Sequence, residues 1–165
     1  MNTARNAIAV LLLAGLTAAC SQSAREAGTT LTTADGVAIG GYDTVAYFTL
    51  GTPTRGSAEF NAQHNGTTWW FASAEHRNLF AADPERYAPA YGGWCAYGMA
   101  EGYAAETDPV DGWTIHDGRL YLNWDAEISS QWNADRASFL ELSEANWPGV
   151  EGELSAGEAT VYWHE

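Results

Sequence analysis

The side chains in this sequence that are best suited to bind a soft metal ion are one cysteine, one methionine and three histidines. A copper or zinc site needs two to four nitrogen or sulfur donors that converge from different elements, and thiolate, thioether and imidazole together suit Cu(I). The candidate ligands are Cys95, Met99, His64, His76 and His116. If the segment after Gly93 is helical, Cys95 and Met99 lie on one helix face. No CxxC or HxxxH spacing is present, so the sequence predicts candidate ligands without a complete local motif.

Two other interpretations of Cys95 stay open. A single cysteine beside Trp94 and Tyr97 is usually a buried apolar residue, and Met99 then fills a gap in the core. A reactive thiol would need an aligned base and a lowered pKa, whereas an acidic chain tends to raise the pKa of a thiol. Tuned pairs of carboxylates and a phosphate-binding glycine loop are not evident either. We therefore expect that the protein is not an enzyme.

The first residues carry the features of an export signal. Arg5 precedes an apolar run, residues 8–16, which is far shorter than the roughly 20 residues that a membrane-spanning helix needs. The stretch LTAAC, which ends at Cys20, resembles the lipobox of bacterial lipoproteins. This resemblance implies that residues 1–19 are a signal peptide and that Cys20 is acylated.

The resemblance to lipoproteins also implies a location. Ser21 follows the cysteine in place of the aspartate that retains such proteins at the inner membrane, so we expect an anchor on the periplasmic side of the outer membrane. Residues 20–34 begin with small and polar side chains, as a flexible tether should. With Cys20 lipidated, Cys95 has no partner for an intrachain disulfide.

The charge balance argues against nucleic acid as a partner. The chain has 7 basic and 21 acidic residues and a net charge of −14, and every basic residue is an arginine. Binding to nucleic acid depends on basic side chains that neutralise phosphate. We expect contact with a membrane only through the N-terminal lipid.

Turn chemistry predicts the clearest structural element. Asn65-Gly66 separates two runs of alternating residues, which favours a two-residue type I′ hairpin. The predicted register pairs Ala62 with Trp69 and Phe60 with Phe71, and it places these four side chains on the core face.

The opposite face of this hairpin carries Trp70. If no other layer covers that face, Trp70 is a candidate for binding a ligand or a partner protein. A sheet or helix that covers it is the alternative. His64, at the hairpin tip, and His76, in the first turn of a predicted helix, are both expected to be solvated.

The other elements follow from local signals. Residues 45–49 have strand chemistry, and helices are predicted to begin at Ser73 and at Asp83-Pro84. Asp117-Gly118 predicts a second hairpin. Helical spacing from Asp125 onwards predicts a longer helix that Pro148-Gly149 ends. These elements indicate a single small α+β domain at residues 35–149, followed by an acidic tail, residues 150–165, that is either laid on the domain or disordered.

From about Ala38 to Pro148 the chain resembles the YHS-domain proteins, and more closely their exported bacterial branch. The resemblance rests on several short motifs. They are Phe71-x-Ser73, Phe80, Asp83-Pro84-Glu85, Tyr87 and Gly92-Gly93-x-Cys95-Ala96. YHS modules of copper-transporting ATPases are associated with metal binding through the pattern Phe-Cys-Ser-x-x-Cys. Here Ala72 and His76 stand at the two cysteine positions.

The resemblance implies a lipid-anchored, non-catalytic YHS domain that binds a soft metal ion such as copper. Because both pattern cysteines are replaced, such a site would be an altered one, with donors from Cys95, Met99, His76 and His116. The alternative is a metal-free interaction or ligand-binding lipoprotein that uses an aromatic surface at Trp70.

Overall fold

The computed structural model of the chain describes residues 28–165. The predicted signal peptide, the predicted acylation site Cys20 and most of the predicted tether lie outside these residues. Within residues 28–165, no helix combines the length and the apolar character that crossing a bilayer requires.

Six α-helices and six short strands form the described part of the chain. The helices are α1 (Ala46–Thr49), α2 (Ala74–Ala82), α3 (Pro84–Tyr87), α4 (Ala96–Ala100), α5 (Ala126–Ala134) and α6 (Arg136–Ala156). The strands are β1 (Ser57–His64), β2 (Thr67–Phe71), β3 (Ala104–Ala105), β4 (Trp113–His116), β5 (Arg119–Leu122) and β6 (Val161–Tyr162). Two 3-10 helices, Ile39–Gly41 and Ala90–Gly93, precede α1 and α4.

The first hairpin confirms the predicted turn and most of the predicted register. Asn65 and Gly66 both have positive φ, 49° and 74°, as a type I′ turn requires. Ala62 pairs with Trp69. The predicted pairing of Phe60 with Phe71 is wrong, because β1 is irregular between Ser57 and Asn61 and places Ser57 opposite Phe71.

Local hydrogen bonds explain this irregularity in β1. The Asn61 side chain donates to the Ala58 carbonyl at 2.7 Å, and the Ser57 hydroxyl accepts from the Glu59 amide at 3.2 Å. Short polar side chains thus satisfy backbone groups that a regular ladder would have paired. Phe60 still packs against the edge of the core.

The second hairpin, β4 and β5, also forms at the predicted turn, where Asp117 and Gly118 have φ of 50° and 75°. The two hairpins do not join into one sheet. Each is a separate two-stranded sheet, and β3 pairs with β6 in a third, parallel pair. The protein is therefore a single small α+β domain, built from antiparallel hairpins, short helices and a long C-terminal helix, as predicted.

The predicted strand at residues 45–49 is wrong, because Ala46–Thr49 is helix α1. The Asp43 carboxylate accepts hydrogen bonds from the Val45 and Ala46 amides, at 2.9 and 3.2 Å. These are the free amides at the start of a helix, so Asp43 caps α1. This contact outweighs the strand preference of the β-branched and aromatic residues that follow.

The predicted end of the C-terminal helix at Pro148 is also wrong. Helix α6 contains Pro148 and continues to Ala156, where Gly157 ends it with φ of 73°. Val150 and Leu154 are buried beyond the proline, and this burial offsets the backbone hydrogen bond that proline cannot make.

The acidic tail is laid on the domain, which was one of the two alternatives. Residues 150–156 belong to α6, and β6 pairs with β3. The Trp163 ring lies edge-on to Trp94, with 5.5 Å between ring centroids. The tail thus packs against Trp94, which is fully buried.

Candidate functional site

Cys95 lies at the start of α4, so the segment after Gly93 is helical, and the Cys95 thiol is enclosed. The Gly98 amide donates to Sγ at 3.5 Å, and the thiol lies 3.7 Å from Oδ1 of Asn123. The residue is only 2% exposed, and its burial raises the pKa of the thiol. Met99, one turn later on α4, is fully buried. The sulfur is therefore held as a neutral thiol that acts as a helix cap.

His76 is buried, so the expectation that it is solvated is wrong. Its Nδ1 lies 2.6 Å from Oδ2 of Asp43, and its Nε2 lies 3.1 Å from the Thr49 hydroxyl. Both ring nitrogens therefore have partners. Asp43 is completely buried, and the imidazole is one of the donors that compensate for the burial of this carboxylate.

Ala72 and His76, which the resemblance to YHS domains places at the two cysteine positions, both contact Asp43. The Ala72 amide donates to Oδ2 of Asp43 at 2.8 Å, and His76 contacts the same oxygen. With the two amides at the start of α1, the carboxylate accepts four hydrogen bonds. Asp43 thereby fastens the start of α2 to the start of α1, which is a structural role.

The other two histidines have partners of their own. Nε2 of His116 lies 3.3 Å from Asp117, beside the second hairpin turn. His64 is half-buried rather than solvated, because its ring lies edge-on to Phe80 at 5.7 Å and its Nε2 is 3.6 Å from Glu85.

The residues predicted to bind a metal are thus distributed over several parts of the fold. Cys95 hydrogen-bonds with Gly98 and Asn123, whereas His76 contacts Asp43 and Thr49. In residues 28–165 no group of three or more histidine, cysteine, aspartate or glutamate side chains is arranged to hold a metal ion. Copper binding stays a prediction.

Trp70 lies on the predicted face of the first hairpin and is half-buried. A Cβ atom added to Gly41 would lie 3.1 Å from the Trp70 ring, so the 3-10 helix Ile39–Gly41 packs directly against the indole. A Cβ atom added to Gly56 would lie still closer, 2.5 Å from the carbonyl carbon of Trp70. The face that carries Trp70 is therefore partly covered by the segment before β1.

One concavity of mixed polarity in residues 28–165 is a cleft of about 520 Å³. Its walls come from the segment before β1, the loop after β3, the start of α5 and the C-terminal end. The residues on which its chemistry depends are Tyr42, Arg55, Asp108, Val110, Trp124 and Asp125. These segments are far apart in sequence. We refer to this feature as the cleft.

Arg55 is held in place at one wall of the cleft. Its Nη1 donates to the Gly40 carbonyl at 2.7 Å, and its guanidinium carbon lies 4.2 Å from the centroid of the Tyr42 ring. A bridge between the backbones of Tyr42 and Arg55 fixes this pair. The side chain is exposed, and its remaining N–H groups donate to none of the residues in 28–165.

Two carboxylates in the cleft each use one oxygen to hold the backbone. Oδ1 of Asp125 accepts from the Ile128 amide at 2.8 Å and caps α5. Oδ1 of Asp108 accepts from the Val110 amide at 2.7 Å and tightens its own loop. Oδ2 of each aspartate accepts no hydrogen bond from the described part of the chain.

Trp124 is held between the cleft and a smaller pocket. The His164 ring lies against the indole, with 3.9 Å between centroids and a tilt of 50°, and the imidazole Nε2 lies 3.1 Å from the Trp124 carbonyl. The smaller pocket, about 280 Å³, is lined mainly by aromatic side chains, including Tyr97 and Tyr103. Cys95 lines it as well. Trp124 lines both concavities.

Sequence reasoning missed the cleft, because no local motif joins Arg55 to Asp125. The sequence offers two signals at these positions, an aspartate at the start of a helical run (Asp125) and the turn-forming pair Asp108-Pro109, and both indicate local structure only. Comparison of the chain with models of protein families, with curated proteins and with solved structures gave no match.

Proposed function

We propose that this protein is a non-catalytic, lipid-anchored extracytoplasmic domain of YHS type that binds a small organic ligand in the cleft without a metal. The observation that supports this most directly is the cleft itself. Its volume of about 520 Å³ lies within the range of roughly 300–1,000 Å³ that small-molecule sites occupy. Aromatic walls with a few fixed polar groups are the usual composition of such sites.

The chemistry of the candidate groups supports binding over catalysis. Cys95 is a buried thiol with a raised pKa, so little thiolate is available as a nucleophile. Asp108 and Asp125 hold loop and helix backbones through one oxygen each. A carboxylate that is fixed in this way is suited to orienting a bound ligand.

The start of the described chain is compatible with a short anchor. The Gly28 carbonyl accepts a hydrogen bond from the indole N–H of Trp94 at 3.0 Å, so the domain packing reaches that residue. Seven residues lie between Cys20 and Gly28, and the eight steps along the chain span at most roughly 29 Å when fully extended. Acylation at Cys20 would therefore hold the domain close to the membrane surface.

The proposed function can be tested by a substitution that fills the cleft with a larger side chain. Val110 lines the cleft and is 41% exposed, so Val110→Trp adds bulk there without disturbing the core. We expect this change to abolish ligand-induced shifts in melting temperature across a panel of cationic, anionic, zwitterionic and neutral small molecules. Leu142→Trp, at an exposed position on α6, is the matched control and should retain them. If no member of the panel binds in a way that Val110→Trp blocks, the cleft is not a ligand site.

Binding of Cu(I) is the second candidate, and one observation favours it. Cys95 and Met99 are both buried and stand one turn apart at α4, which places a thiol and a thioether, both soft donors, in the same region. Titration of the full chain with Cu(I) under reducing conditions, repeated with Met99→Leu, tests this. A stoichiometric, tight complex that Met99→Leu weakens would favour the metal over the metal-free function.

A further inference from the structure

The cleft presents an unpaired positive group. Arg55 is in ion-pair contact with no acidic residue in 28–165, although the chain carries three times as many acids as bases. Its guanidinium is nevertheless fixed by Gly40 and Tyr42. A guanidinium that is held in one orientation and keeps free N–H groups is suited to a ligand carboxylate, because it can form two parallel hydrogen bonds.

The same cleft presents unpaired negative oxygens. Oδ2 of Asp108 and Oδ2 of Asp125 have no hydrogen-bond donor among the described residues, whereas Oδ1 of each is bound to backbone amides. The bound oxygen fixes the position of the free one. Two fixed acceptors of this kind suit an ammonium group, which has three donors and no acceptor.

The remainder of the cleft combines apolar and polar side chains. Leu31 and Ile39 are buried residues of its lining, and Tyr42, Pro109 and Trp124 also line it. The other polar residues of the lining are Thr32, Thr33, Glu106, Thr107 and His164. The ring of Trp124 is held in place by His164. An aromatic surface beside charged groups favours a ligand that has an apolar part next to its charged part.

We propose that the cleft binds a free amino acid with an apolar side chain, in its zwitterionic form. Arg55 binds the carboxylate, Asp108 and Asp125 bind the ammonium group, and Tyr42 and Trp124 contact the side chain. This inference rests on the proposed function, since it names the ligand class of the same cleft. Neither a simple amine nor a simple carboxylic acid satisfies both sets of unpaired groups.

The test compares ligands that differ only in charge. Isothermal titration of the full chain in detergent would use L-phenylalanine and L-leucine. The single-charge analogues are 2-phenylethylamine and isoamylamine, which lack the carboxylate, and 3-phenylpropionate and 4-methylpentanoate, which lack the ammonium group. We expect at least one of the two amino acids to bind about tenfold or more tightly than both of its analogues, because each analogue leaves one set of charged groups without a partner.

Two variants test which residue of the cleft binds which charged group of the ligand. Asp125→Asn retains a helix-capping side chain but removes the negative charge, so it should weaken amino-acid binding by about tenfold and leave carboxylate binding unweakened. Asp83→Asn makes the same change at the cap of α3, outside the cleft, and should have no effect. Arg55→Gln should weaken binding of the amino acid and not of the amine, whereas Arg77→Gln, on α2, is its control.

The outcomes separate the two proposals. If an amine binds as tightly as its amino acid, or if Arg55→Gln has no effect, the ligand is not a zwitterion, although the cleft remains a binding site. If neither amino acid binds and other molecules of the panel do so in a manner that Val110→Trp blocks, the ligand class is wrong and the proposed function holds. If Val110→Trp leaves amino-acid binding unchanged, the cleft is the wrong location for both.

Discussion

Asp43 is a buried carboxylate whose sequence context predicted no role for it. It accepts four hydrogen bonds, from the amides of Val45, Ala46 and Ala72 and from the His76 ring. These donors come from two segments that are separated by the whole first hairpin. The charge is therefore compensated only in the folded protein, and its removal affects both segments at once.

We expect Asp43→Asn to destabilise the protein by about 3 kcal/mol, because breaking a buried, hydrogen-bonded charge pair typically costs about 3–5 kcal/mol and the amide retains one acceptor. Urea unfolding of the full chain measures the change. Asp83→Asn, at an exposed helix cap, should cost less than about 1 kcal/mol. Equal effects of the two substitutions would mean that the Asp43 network contributes little to stability.

The burial of the Cys95 thiol is expected to make the stability of the folded protein depend on pH. Burial raises the pKa of its thiol, so the folded protein holds the thiol proton to a higher pH than the unfolded chain does. Unfolding is therefore favoured increasingly once the pH exceeds the ordinary thiol pKa of about 8.5.

Cys95→Ser retains a capping side chain but does not ionise in this range. We expect the decline in stability between about pH 8 and pH 10 to be steeper for the natural chain than for Cys95→Ser. Tyr47 and Tyr91, whose pKa values are also raised by burial, are present in both proteins and so cancel in the comparison. Parallel stability curves would show that the thiol proton is not held by the fold.

At the scale of secondary-structure elements, predictions that depended on neighbouring residues were confirmed. The Asn65-Gly66 turn forms, and Ser73 and Asp83 cap α2 and α3 through their own side chains. In each case the decisive hydrogen bond or backbone angle lies within three or four residues of the signal. Such interactions depend little on the rest of the fold.

Elements stabilised by distant contacts were predicted wrongly. Helix α6 passes Pro148 because Val150 and Leu154 are buried against the domain, and nothing within a few residues of the proline indicates this. The short helix α1 likewise depends on Asp43, whose own position depends on α2. Local propensity is overridden where burial or a buried charge decides the conformation.

The second half of α6 offers a direct test of this explanation. Leu154→Ala removes a side chain that is 2% exposed, and we expect it to cost about 2–4 kcal/mol because it leaves a cavity. Leu142→Ala, on the same helix at a position that is 49% exposed, should change stability by no more than about 0.5 kcal/mol. Chemical denaturation of both variants measures the difference. If Leu154→Ala is equally mild, another interaction holds the helix beyond Pro148.

At the scale of the whole molecule, the predicted acylation of Cys20 would hold the protein at a membrane surface. Cys20→Ala should move the protein from the membrane fraction to the soluble extracytoplasmic fraction, since a net charge of −14 disfavours binding to anionic lipid. Fractionation followed by immunoblotting measures this, and Cys95→Ala is the matched control that should stay with the membrane. Retention of Cys20→Ala in the membrane fraction would contradict the anchor.

The candidate site shows most clearly what the sequence determined and what it did not. Composition and local turn chemistry were sufficient for the α+β class, the two hairpin turns and the caps of α2 and α3. Only the tertiary structure brought Arg55, Asp108 and Asp125 into one cleft and Asp43 against His76. The physical reason is that caps and turns are satisfied by atoms a few residues apart, whereas a cleft and a buried charge obtain their partners from segments that meet only when the core forms.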